Sequence, residues 1–111
     1  MKFAKSISKY IRISPRKARL AAGLIRGLDV NSAFEQLHFS KLKSGRLLFK
    51  TLKSAVSNAE TIHEGKKENM KVFEVRVDEG PTMKRVKSRN RGGRSPILKR
   101  MSHLSIIVSV E

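Results

Sequence analysis

Polar and apolar residues alternate from Phe3 to Ile13, with Ile7, Lys9, Ile11 and Ile13 on one side and Ser6, Ser8, Tyr10 and Arg12 on the other. A period of two predicts a half-buried strand. Ser14-Pro15 then signals a helix start, because Ser can cap free N–H groups and Pro fits the first helical position. A helix over 15–26 follows, ending at Gly27, with a narrow face of mostly small residues: Ala18, Ala21, Ala22, Ile25 and Leu28. A face of that kind lets a neighbouring element approach closely. Asn31 can cap a short second helix to about Phe39, with Ala33, Phe34 and Leu37 inward. A third helix is predicted over about 44–62, where Leu48, Leu52, Ala55, Val56, Ala59 and Ile62 keep helical spacing. Residues 63–69 read as a polar turn around Gly65, without regular structure.

From Met70 the period shortens again. Phe73, Val75 and Val77 alternate with Glu74, Arg76 and Asp78, and Leu104, Ile106, Val108 and Val110 alternate with Ser105, Ile107 and Ser109. The simplest arrangement is one long antiparallel hairpin whose roots pack on the helices and whose tip lies near residues 90–93. Extended chain from Val72 to the tip would reach roughly 60 Å, so the far half must stand clear of the body. Two-stranded ribbons are marginal alone in water, which predicts a mobile arm until a partner orders it. The fold class expected is α+β: a single domain over 1–111, three helices packed on a small antiparallel sheet, and a protruding arm at about 80–103.

Charge changes the picture from fold to partner. The 111 residues carry 25 Lys and Arg against nine Asp and Glu, a net charge of +16. The excess sits at the two ends, since 1–28 and 80–110 contain no acid while 29–79 is nearly balanced. The arm residues Lys84, Arg85, Lys87, Arg89, Arg91, Arg94, Lys99 and Arg100 repel one another and call for a dense polyanion. Arg offers a rigid fork of donors matching phosphate oxygens, and Lys a mobile point charge. Edge protection of a solvated strand would mix signs, and this segment does not. Arg16, Lys17 and Arg19 stand in the opening turns of the first helix, where the helix dipole adds partial positive charge.

Other chemistry finds little footing. Without cysteine there is no disulfide frame or thiolate zinc site, which suits a reducing compartment. No secretory signal and no membrane-length apolar window is visible, so an intracellular, soluble protein without membrane attachment is expected. His38, His63 and His103 lack metal-ligand spacing, and Glu60, Glu64 and Glu68 read as a solvated face. Neither clustered acids nor a histidine pair supports a nuclease, so no enzyme activity, cofactor or metal is expected. Phe3, Phe34, Phe49 and Phe73 fall in or beside apolar patterns, which predicts core packing rather than an exposed stacking platform. A DNA-bending protein would need a dimer and an apolar wedge at the arm tip, and Arg89-Asn90-Arg91-Gly92-Gly93-Arg94 has no wedge.

Several stretches resemble one family. Residues 78–85 (Asp-Glu-Gly-Pro-Thr-Met-Lys-Arg), then Arg89, Gly92 and residues 97–104 (Ile-Leu-Lys-Arg-Met-Ser-His-Leu) are similar to the large-subunit ribosomal protein L twenty-two family, as are Ser14-Pro15-Arg16-Lys17-Ala18-Arg19-Leu20 and Ser57-Asn58-Ala59-Glu60. The resemblance runs essentially end to end. It implies a structural protein of the cytoplasmic ribosome that binds large-subunit rRNA, with neighbouring ribosomal proteins and the nascent polypeptide as further partners and no homo-oligomer. It also implies a hairpin reaching the wall of the polypeptide exit tunnel. On that basis the rRNA-binding set is Lys9, Arg12, Arg16, Lys17, Arg19, Lys84, Arg85, Lys87, Arg89, Arg91, Arg94, Lys99, Arg100 and His103. The implied tunnel-wall tip is Met83, Lys84, Arg85, Arg89, Asn90, Arg91, Gly92 and Gly93. Ser88 and Asn90 stand where the family usually has Pro and Ala, and Gly93 where a further basic residue is common, so a looser tip is expected.

Overall fold

The computed structural model describes residues 2–40, 42–88 and 92–110. Strand β1 (Lys2–Ile11) leads into helices α1 (Pro15–Ile25), α2 (Val30–His38) and α3 (Lys43–His63). A single 3-10 turn at Lys67–Asn69 precedes β2 (Met70–Glu79), β3 (Met83–Ser88), β4 (Arg94–Lys99) and β5 (Ser102–Val110). The fold is α+β, with three helices on one face of a small antiparallel sheet of order β1-β5-β2. Strands β3 and β4 pair only with each other, as a separate ribbon. The expected continuous hairpin is thus broken at its base. Pro81 cannot donate to a ladder, and a side chain on Gly80 would meet Met101 and His103 at 3.3 Å. One backbone bond, from the Gly80 N–H to the Met101 carbonyl (2.9 Å), spans the break. The molecule is 63 Å long and 25 by 16 Å across.

Helical periodicity was a sound guide to the core. Ala18, Ala21, Ala22 and Ile25 of α1, Ala33 and Leu37 of α2, and Leu48, Leu52, Ala55, Val56 and Ala59 of α3 are all buried. They meet Val72, Val75 and Val77 of β2 and Leu104, Ile106, Val108 and Val110 of β5 in one cluster. Ile62 departs from expectation. It is 67% exposed in the last turn of α3, where the neighbouring His63 donates from Nε2 to the β1 carbonyl of Phe3 at 2.8 Å.

β1 is turned over relative to its sequence pattern. Ala4 and Ser6 face the core while Ile7 is 46% exposed. The cause is α3, which lies so close to β1 that small side chains are the ones that fit beneath it. There Ser8 Oγ bonds Thr51 Oγ1 (2.9 Å), and the Asn58 amide donates to the Lys5 carbonyl (3.0 Å). A bulge between Ser8 and Ile11 then shifts the register, with Tyr10 at φ 57°. An extra residue flips the alternation, so Ile13 is buried as the pattern predicted.

The outer edge of β2 is closed by α1 and the segment after it. Arg19 donates to the Val77 carbonyl (3.1 Å), and Arg26 donates to the Val75 carbonyl through Nε (3.3 Å) and Nη2 (2.9 Å). The Gly27 N–H bonds the Val72 carbonyl, and the Val72 N–H the Leu28 carbonyl. An edge strand so covered offers no template for pairing with another chain.

Candidate nucleic-acid interface

Two helix starts and the root of the ribbon meet at one place. Ser14 is extended and Pro15 supplies a helical φ, so α1 begins there without a side-chain cap and without an acid in its first turn. α3 begins at Lys43 in the same uncapped, acid-free way. The Ser44 hydroxyl donates to the Lys17 carbonyl (3.4 Å) and Lys43 Nζ to the Arg12 carbonyl (3.3 Å), which holds the two starts together. Met83, Arg85, Leu98, Lys99 and Arg100 from the ribbon root close the other side. The result is an open cleft of about 950 Å³ lined, among the described residues, by the six cations Arg12, Lys17, Lys43, Arg85, Lys99 and Arg100 and by no carboxylate. Both helix dipoles point their positive ends toward this region, adding to the cations. Leu20, Leu42 and Leu98 add exposed apolar surface to its lining.

The cleft gathers five of the basic residues expected from sequence: Arg12, Lys17, Arg85, Lys99 and Arg100. Others lie elsewhere. Arg16 is exposed on α1 outside the cleft, and Arg19, also exposed, spends one donor on β2. Lys9 and His103 line a shallow depression on the sheet face opposite the helices, beside Glu74, Arg76 and Asp78. There His103 Nδ1 accepts the Tyr10 N–H (3.1 Å) and the two rings stand edge to face at 5.0 Å. Lys84 is exposed and one residue out of phase with Met83 and Arg85. Lys87 and Arg94 belong to β3 and β4 near their far ends. Arg89, Asn90 and Arg91 lie outside the described residues.

The residues expected at the tip fall at both ends of the ribbon. Met83, Lys84 and Arg85 open the ribbon at its root, where Met83 pairs with Lys99, and the far end is at Ser88 and Arg94, with Gly92 and Gly93 beyond β3. The break at Gly80-Pro81 is responsible, since it delays the ribbon's first pair to Met83. Gly92 has a φ of 73°, a turn conformation that suits glycine.

Sequence reasoning missed Lys43 and two aromatic rings. Lys43 carries no motif; only its place beside an acid-free helix start could have singled it out. Phe3 and Phe73 are exposed, with ring centroids 4.9 Å apart, on the open face of the sheet. The expectation that Phe3 and Phe73 pack inward fails because β1 is inverted and a bulge between Val72 and Glu74 displaces Phe73 from the alternation. Phe34 and Phe49 do pack on the core, 5.1 Å apart, with Lys67 Nζ over the Phe34 ring. Among the described residues no cluster of His, Cys, Asp and Glu could hold a metal, and no helix is long and apolar enough to cross a membrane.

The family described as Ribosomal protein L22p/L17e matches residues 6–109. The chain belongs to that family. It is similar to the large ribosomal subunit protein uL22 of Protochlamydia amoebophila, 70% identical over 98% of each chain. It is also similar to the proteins of the same description from Chlamydia pneumoniae, 64% identical, and Chlamydia abortus, 62% identical, each over 94% of both chains. The family is one of structural proteins, not enzymes.

Proposed function

We propose that this chain is a structural constituent of the large ribosomal subunit that holds large-subunit rRNA in the cleft between its helix starts and its ribbon. The observation that carries this is the convergence of cations from two acid-free segments, far apart in the chain, on one site that has no carboxylate among the described residues. Packed together, such charges repel unless phosphates lie among them. Val86 and Leu98 of the ribbon are both exposed, and a two-stranded ribbon is marginal alone in water, so it too needs surroundings that fix it. In this reading the ribbon passes through rRNA to the wall of the polypeptide exit tunnel, where its far end borders the nascent chain. The chain acts as one domain in a single copy, beside other large-subunit proteins of the cytoplasmic ribosome and without a cofactor.

Removal of residues 84–99 tests the division of labour. Met83 pairs with Lys99, so joining Met83 to Arg100 spans a short gap. The shortened chain is expected to keep its cooperative thermal transition while its affinity for large-subunit rRNA fragments drops and loses much of its salt dependence. Loss of the folded body, or unchanged affinity and salt dependence, would refute the reading.

A further inference from the structure

The cleft is not a purely electrostatic surface. Leu20 is 64% and Leu98 47% exposed beside the six cations, and a paired RNA helix presents phosphates, 2′-hydroxyls and polar base edges to them, none of which is an apolar face. Arg85 adds a flat element: its guanidinium is turned back along the ribbon, donating to the Lys84 carbonyl (3.1 Å) and approaching Met83 Sδ (3.9 Å). A guanidinium held in this way offers a plane on which a base can stack. The volume of about 950 Å³ lies near the upper end of small-ligand sites, roughly 300–1,000 Å³, enough for one nucleotide with its flanking phosphates.

We infer that the cleft takes an unpaired RNA nucleotide, its base against Leu20, Leu98 and the Arg85 guanidinium and its phosphates among Lys17, Lys43 and Arg100. This rests on the RNA-binding reading above and narrows it to a bulge or loop. The positive lining selects a polyanion, and the exposed leucines among the cations select a base that has left its stack.

The test uses the full chain and a short RNA hairpin carrying one bulged 2-aminopurine, against the same hairpin fully paired. The bulged RNA is expected to bind about tenfold more tightly, as burial of one base face on apolar surface would give, and the 2-aminopurine fluorescence should change on binding. Leu20→Ser and Leu98→Ser, both at exposed positions, should each remove most of that preference, read as the ratio of bulged to paired affinity. Arg85→Lys, which keeps the charge and loses the plane, should lower the preference without changing the salt slope. Far-UV circular dichroism and thermal melts of each variant verify folding, and Leu20→Ala or Leu98→Ala replaces the serine variant at the same position if it fails. Equal affinity for the two hairpins, or a preference that survives both leucine changes, would overturn the inference while leaving RNA binding intact. Failure to bind either RNA would overturn the underlying reading as well. Competition by polyglutamate as effective as by RNA, with the same leucine dependence, would overturn it in favour of an acidic protein segment.

Discussion

Glu64 ends α3 in the left-handed conformation, at φ 52° and ψ 30°, where glycine is the usual residue because a Cβ is strained there. Replacing it with glycine should raise stability by about 1 kcal/mol, measured by urea unfolding. The next residue behaves in the opposite sense. A Cβ on Gly65 would sit 2.7 Å from Val110 Cγ1 and 3.1 Å from Met70 Cε, and Val110 is a stiff, buried side chain. Gly65→Ala should therefore destabilise by about 1–3 kcal/mol in the same assay. The sequence shows only a polar turn here. What constrains Gly65 is the last strand of the sheet, and no local pattern carries that information. The same holds for Tyr10, whose positive φ belongs to a bulge that exists only because β1 pairs with β5.

Among the elements, the helices were legible and the strand faces less so. A helix repeats its apolar stripe over several turns, so 15–26 and 44–62 were found within a residue or two of Pro15–Ile25 and Lys43–His63. A strand of ten residues offers a weaker signal, and one bulge reverses it, as at Ser8–Ile11 and at Val72–Glu74. The Gly80-Pro81 break was visible as residues but not as a boundary between two sheets. The contact of α1 with β2 was wholly hidden, since nothing in Arg26 says that it will serve a carbonyl 49 positions on. Arg26→Ala leaves the part-buried Val75 carbonyl without its two donors, and should lower stability by about 1–3 kcal/mol in thermal unfolding. Affinity for rRNA fragments, measured alongside, should hardly move, because Arg26 lies outside the cleft.

At the level of the whole molecule, the sign and location of charge were plain from the sequence, whereas their assembly into a cleft was not. Arg12, Lys17 and Lys43 are brought beside the ribbon root by the packing of α1 on α3, which composition cannot express. Lys17→Ala combined with Lys43→Ala should reduce the slope of log affinity against log salt by roughly 1.5, the release of about two phosphate contacts at 0.7–0.9 each. An unchanged slope would place the phosphates elsewhere. The break at Gly80 carries a further consequence. The three-stranded sheet closes its own ladder at Ser102 and Glu79 and owes nothing to the ribbon beyond it. Substitutions along the ribbon should therefore leave that ladder standing, while the cleft, shared between the two parts, answers to a change in either.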